Sequence, residues 1–266
     1  MKTALTISDS DSCGGTGVAA DVKTFTMLNV FGMTAITSVT AQNTLGVQDR
    51  FNLEPELIIK QIDLSAGDLD VDACKTGVLP TVAIVDAVAE AIKRNKLAKY
   101  VCDPVLKTRK GEKVLADDAL VAIAKKLVPL ATIVTAGVDE AKALTGYTST
   151  VVDTISAAKT IARKIIEMGA KAVVIKAVLT GDETVDLLLD GKEFTELAAK
   201  TQPEAKTYGS GAVFSAAITA ALANSKTLVE AVDLAKNVVN MAIQYSDGQG
   251  RGNSFVNVLA YSAKKK

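Results

Sequence analysis

The chain predicts an α/β fold, a mostly parallel central sheet covered by helices on both faces, and three observations carry that expectation. Short β-like runs alternate with longer helical ones along the whole length. The spacing of that alternation suits strands joined through helices rather than hairpins. Polar clusters fall directly after strands, at residues 8–17, 42–43, 103 and 137–140, where ligands of such sheets bind.

The elements follow in order. Residues 4–7 read as a strand, leading through a Gly-rich loop into a helix near residues 18–28. Residues 34–40, Thr-Ala-Ile-Thr-Ser-Val-Thr, are rich in β-branched residues and form the second strand. A helix at 54–64, a strand at Ala73–Thr76 and a helix at Val82–Arg94 follow, the last with Ile84, Val88 and Ile92 on one face. The strand Tyr100–Cys102 ends at Asp103-Pro104, where proline blocks continuation. Then come a helix at 119–127, a strand at 132–135, a short helix at 140–144, a helix at 156–168 and a strand at 172–176. Residues 185–189 and 193–197 pair as a hairpin turned at Asp190-Gly191. Helices near 211–223 and 228–245 close the chain. With no linker, internal repeat or low-complexity stretch, residues 1–266 are expected as one domain.

Composition narrows the function. Thirty basic and 30 acidic residues cancel, so no net charge draws nucleic acid or an anionic membrane. The terminal Lys264-Lys265-Lys266 is expected as a short solvated tail. The apolar start turns polar at Ser8-Asp9, too short for a secretory segment, and no apolar stretch reaches the roughly 20 residues that span a bilayer. Cys13, Cys74 and Cys102 are an odd, widely spaced set that makes neither a zinc spacing nor a disulfide framework, which fits a reducing cytoplasm. The absence of histidine decides more. Triads with a His base, His-ligated zinc and His-type switches are excluded, and proton transfer falls to Asp, Glu, Cys, Lys, Tyr or water.

The most informative segment is Thr207-Tyr208-Gly209-Ser210-Gly211-Ala212, followed by an Ala-rich run with Phe214, Ile218 and Leu222 four residues apart. A glycine turn feeding a helix start leaves backbone N–H groups converging on one spot, with the positive end of the helix dipole behind them. That spot suits an anion, and phosphate is the usual one. The side chain expected beside it is Ala212, which has no proton to give or take.

The loop Ser8-Asp9-Ser10-Asp11-Ser12-Cys13-Gly14-Gly15-Thr16-Gly17 matches neither the Walker loop nor the dinucleotide fingerprint. Together with Ala20-Asp21-x-Lys23-Thr24-Phe25, it resembles the start of the hydroxymethylpyrimidine/phosphomethylpyrimidine kinases. These belong to the ribokinase-like superfamily and include a pyridoxal kinase branch. The run at residues 30–47, containing Ala41-Gln42-Asn43-Thr44, is similar to the thiamine-pathway enzymes. Lys75-Thr76-Gly77-Val78, Asp103-Pro104-Val105, Val174-Ile175-Lys176 and the Tyr208 segment follow in the family's order.

The resemblance implies a three-layer sandwich and an ATP- and Mg2+-dependent kinase acting on a hydroxymethyl group of a vitamin-type ring. Hydroxymethylpyrimidine or its phosphate is favoured, with pyridoxal the close alternative. It places Asp21 and Gln42 on the ring and its hydroxymethyl arm, with Gly14, Gly15 and Val78 as pocket wall. A side-chain amide such as that of Gln42 offers a donor and an acceptor together, which suits an aminopyrimidine edge. Asp103 and Glu140 would help hold magnesium, a hard cation that prefers carboxylates and water. Lys176 and Thr207 would meet the ATP phosphates, and Gly209, Ser210 and Gly211 would cradle the transferring group. A homodimer is implied as well, with residues 27–33 supplying apolar groups either near a sheet edge or, equally, to the buried core.

Several positions depart from that pattern. Tyr208 stands for the family's His, Ala212 for its Cys or the ribokinases' Asp, and Ala177-Val178-Leu179 for Gly-Gly-His. Gly137 replaces an expected Asn, and the flap after Val105 is basic, with Lys107, Arg109 and Lys110. Without a residue at position 212 able to act as base, Asp21 and Cys13 are the nearest candidates. A slow kinase is expected, and a nucleotide- or vitamin-binding protein with degenerate catalysis is the rival.

Overall fold

The computed structural model describes all residues except 109–110, 149–153, 181–182, 201–206, 247, 253 and 264–266. The flap residues Arg109 and Lys110 and the terminal lysines therefore lie outside the described residues. The chain runs β1 (Lys2–Asp11), α1 (Gly17–Met27), β2 (Val30–Asn43), β3 (Gly46–Asn52), α2 (Pro55–Asp68), β4 (Ala73–Thr76), α3 (Val82–Arg94), β5 (Tyr100–Cys102) and α4 (Asp117–Lys126). After a 3₁₀ turn at Val128–Leu130 come β6 (Ile133–Gly137), α5 (Val138–Thr145), α6 (Ile155–Glu167), β7 (Ala172–Thr180), β8 (Glu183–Asp190), β9 (Glu193–Lys200), α7 (Ser210–Ala223), α8 (Leu228–Gln244) and α9 (Ala260–Ala263).

The strands form one sheet in the order β3-β2-β1-β4-β5-β6-β7-β8-β9. From β2 to β7 the neighbours are parallel, and β3, β8 and β9 are added antiparallel at the two ends. Alternation along the strands builds two cores. Leu5, Ile7, Cys74 and Val134 face a cluster with buried residues of α2, α3, α4 and α6, while Ala4, Ala73, Val101 and Ile133 face one with α1, α7 and α8. This is the expected three-layer sandwich.

The strands reach further than their apolar runs. β1 extends to Asp11 and β2 to Asn43, carrying polar residues out to the rim. The hairpin turns where expected, with Gly191 in the left-handed region at φ 64°. Strand β3 was not expected, and it pairs only with residues 38–43 of β2. Residues 30–33 of β2 lie outside its pairing with β3; there Met33 is buried and Met27 packs on the core, whereas Phe31 is half exposed. Among the described residues, no helix is long and apolar enough to cross a membrane.

Candidate active site

The carboxyl ends of the central strands and the start of α7 enclose a cavity of about 240 Å³. Its lining includes Asp9, Gln42, Lys75, Val78, Asp103, Glu140, Lys176, Thr207 and the turn from Tyr208 to Ala212. Ligands of open α/β sheets bind at this end.

One end of the cavity gathers the start of α7, Lys176 and two carboxylates. Gly209 caps α7 at φ 89°, and a Cβ there would lie 2.1 Å from Gly15 O, so only glycine lets the two loops touch. The N–H of Ser210 goes to Thr207 O, and the first helical bond runs from Val213 N–H to Gly209 O. The Gly211 and Ala212 N–H groups precede it and have no partner within the helix. Lys176, midway along β7 where its pairing with β6 ends, lies beside them: a Cβ on Gly211 would be 3.7 Å from Lys176 Nζ. That ammonium sits 3.4 Å from Asp103 Oδ1 and 3.9 Å from Glu140 Oε2. Burial alone would lower the Lys176 pKa, but the Asp103 and Glu140 charges outweigh it and hold the pKa above the usual lysine value.

Both carboxylates are held from behind. Ser215 Oγ of α7 donates to Asp103 Oδ2 at 2.7 Å, and the Gly137 N–H donates to Glu140 Oε2 at 2.6 Å. Thr207 Oγ1 is buried without a hydrogen-bond partner among the described residues. The flap adds Lys107 and Thr108 to the lining, and Arg50 of β3 ties it down by donating from Nη1 to Val114 O at 2.6 Å.

The other end suits a ring. Gln42 Nε2 donates to Tyr208 Oη at 2.5 Å, and the Tyr208 ring packs on Phe255 with centroids 4.9 Å apart. Burial, then the Asp11 charge, pushes the Tyr208 pKa up to about 12, so its hydroxyl stays protonated. The Gly-rich loop after β1 is not a second anion cradle. Its N–H groups at Cys13, Gly15 and Thr16 all go to the Asp11 carboxylate, at 2.8, 3.0 and 2.9 Å.

Three expectations are corrected here. Asp21 is fully buried, holding Thr6 Oγ1 at 2.6 Å and Lys75 Nζ at 2.7 Å, and it is Lys75 that reaches the cavity. Gly14 and Gly15 line a neighbouring cavity with Cys13, Lys23 and Phe255. Neither Asp21 nor Cys13 is placed as a base: Asp21 is engaged with a cation, and burial, then Asp11, pushes Cys13 up to about 11.

Sequence reasoning missed Asp9, Arg50, Lys75 and Ser215. Asp9 and Lys75 stood in stretches already singled out, the polar cluster 8–17 and the motif at residues 75–78, whereas Arg50 inside β3 and Ser215 inside α7 carried no signal of their own. Asp9 is 5 % exposed, and burial pushes its pKa up against the pull of Arg50. A folded-state pKa above the unfolded one means that the folded chain keeps this proton longer. Stability is therefore lost as pH rises from the ordinary carboxylate range through the folded pKa. Asp9→Asn is expected to raise the melting temperature at neutral pH, with the gain fading as the pH is taken down to that range. Thermal melts across pH check this.

Fold and cavity together define the ribokinase-like class of small-molecule kinases. The chain belongs to the phosphomethylpyrimidine kinase family, whose model matches residues 11–257. It is 38% identical over 260 residues to the hydroxymethylpyrimidine/phosphomethylpyrimidine kinase of Bacillus subtilis, covering 97% of this chain and 95% of that one. Among solved structures, the ADP complex of Bacillus subtilis pyridoxal kinase superposes with a TM-score of 0.91 at 36% identity, covering 98% of this chain and 99% of that one. The Staphylococcus aureus pyridoxal kinase in complex with pyridoxal gives 0.89 at 33% identity, covering 98% and 94%.

Proposed function

We propose that this kinase transfers the γ-phosphoryl group of ATP to the hydroxymethyl group of an aminopyrimidine, hydroxymethylpyrimidine or its phosphate. One observation carries the reading. A charged lysine, two carboxylates and a helix N-terminus share one cavity with a ring-sized end that carries Gln42 and Tyr208.

Phosphoryl transfer passes through a loose transition state and depends mainly on positioning and charge neutralisation. The Gly211 and Ala212 N–H groups and Lys176 would take the transferring phosphate, with Thr207 beside them. Asp103 and Glu140 fit magnesium, which commonly takes one or two carboxylates and completes its shell with water and phosphate. Among the described residues no cluster of three or more acidic, Cys or His side chains is placed to hold a metal. Magnesium is therefore inferred to enter with ATP, where it would neutralise phosphate charge. Gln42, oriented by Tyr208, and Val78 would hold the ring so that its hydroxymethyl arm meets the phosphate. The relatives named as pyridoxal kinases keep pyridoxal as a second acceptor to test. We place the protein in the cytoplasm, on its three free cysteines, and infer a homodimer through Phe31, Val39 and Phe51, which are exposed on β2 and β3.

Ala212 is the third residue of α7 and brings only a methyl group to the cavity. A positioned general base adds ~10²–10⁴-fold, so its absence slows transfer without removing the electrostatics. Ala212→Cys is expected to raise kcat at least ~10-fold with little change in KM for ATP, as for a group acting only in the transition state. Transfer assays with hydroxymethylpyrimidine, its phosphate and pyridoxal test the reading. Binding of ATP and vitamin without transfer, in wild type and variant alike, would favour a binding protein instead.

A further inference from the structure

The cavity holds a carboxylate with no role in that mechanism. Asp9 lines it beside Gln42, Arg50 and Tyr208. It sits at a register shift, where Ser8 pairs with Ile36 and Ser10 with Val39, so two residues of β2 stand against Asp9 alone. Such a bulge raises the local twist and re-aims side chains. Ser8 and Asp9 would point to opposite faces of a regular strand, yet both line the cavity.

Asp9 is held in place from two sides. Ser8 Oγ donates to Asp9 Oδ1 at 3.1 Å while accepting from Val78 N–H at 3.1 Å. Gly17 leaves room on the other side, since a Cβ there would lie 2.8 Å from Asp9 Oδ1. The nearby cation, Arg50, turns Nη1 to Val114 O instead of forming an ion pair with it. A buried carboxylate of this kind is costly unless a partner with donor groups arrives.

We propose that Asp9 is a specificity-determining residue whose carboxylate pairs with the amino group and adjacent ring nitrogen of the aminopyrimidine, one proton being shared along that edge. The inference rests on the kinase reading above and names the group that selects its ring. A carboxylate presents two acceptor oxygens side by side. A 4-aminopyrimidine presents an exocyclic N–H and, on protonation, a ring N–H with matching spacing, so two parallel charge-assisted bonds form. A pyridoxal ring has no amino group beside its nitrogen and offers at most one of the two. At a pH where Asp9 is ionised, binding of the neutral pyrimidine therefore draws a proton from solvent.

The test is calorimetric titration of wild type and Asp9→Asn in buffers of different ionisation enthalpy. The ligands are 4-amino-5-hydroxymethyl-2-methylpyrimidine, its analogue lacking the 4-amino group, and pyridoxal, with ATP as a control. The wild type is expected to take up protons with the aminopyrimidine and to bind the analogue at least ~10-fold more weakly, as for one lost charge-assisted bond. Asp9→Asn should lose both the proton uptake and that preference while keeping its ATP affinity. Equal wild-type affinity for the two pyrimidines, or proton uptake unchanged in the variant, overturns the proposal. The analogue comparison needs only the wild type, so equal affinities overturn the proposal even if Asp9→Asn fails to fold. An Asp9-dependent preference in a protein that transfers no phosphate upholds the pairing and removes the kinase reading. Transfer to a pyrimidine bound without help from Asp9 does the reverse.

Discussion

Replacing Lys176 by methionine is expected to lower kcat by about 10²–10³-fold, the range found when one preorganised donor to a developing charge is removed. The ammonium stands beside the Gly211 position and is held by Asp103 and Glu140. Because those charges raise its pKa, the ion pairs persist through neutral pH and are lost only as pH climbs through the folded lysine pKa. The loss should fall on kcat, since the ring end of the cavity is untouched and only transition-state stabilisation is removed. Lys176→Arg keeps the charge but spreads it over a planar fork, so partial recovery is expected. Steady-state kinetics at saturating magnesium check both variants. A kcat within about threefold of wild type would leave Lys176 as a strap for the two carboxylates and nothing more.

The second large effect lies beneath the cavity floor. Lys75→Met is expected to destabilise the fold by about 3–5 kcal/mol, because it strands the Asp21 carboxylate in the interior. Asp21 has no exposed surface, and its bonds come from Lys75 Nζ at 2.7 Å and Thr6 Oγ1 at 2.6 Å. For a chain of this size the loss corresponds to a melting temperature lower by roughly 6–20 °C. Burial already pushes the Asp21 pKa up, with Lys75 opposing it, and removing Lys75 pushes it further. The variant's deficit should then shrink as pH falls and Asp21 takes up a proton. The double variant Asp21→Asn, Lys75→Met should recover much of the stability, because neither charge is left unpaired. A deficit as large in the double variant as in Lys75→Met would mean that packing, not charge, holds this position.

These two lysines also show what a sequence discloses and what it withholds. The strand cores and most helices were legible because their apolar residues repeat with period 2 or 3.6. Strand β3, Gly-Val-Gln-Asp-Arg-Phe-Asn, has no such pattern; it is mostly exposed and exists through its pairing with β2. The glycine turn before α7 was singled out from its chemistry alone, while Asp103, Glu140 and Lys176, which line the same cavity, needed the family resemblance. Asp21 was read as a ring contact because sequence order cannot tell a residue in the cavity from the one behind it. Asp9 was passed over because a register shift decides where it points, and register belongs to the pair of strands.

The burial of α7 has a consequence for the order of synthesis. Every residue from Val213 to Ala223 is buried, under α1 and α8 and against β1, β4 and β5. On the ribosome, the strands that α7 covers emerge long before it does. Until it arrives, the sheet face carrying Ala4, Ala73, Val101, Ile133 and Val174 lacks its main cover, although the opposite layer, built from earlier helices, can already form. Nascent chains expose this face to chaperones, proteases and each other for as long as the last segment takes to appear. The turn Gly209-Ser210-Gly211, proposed above to hold the phosphate, belongs to that same segment, so a chain cut short loses the start of α7 and its solubility together.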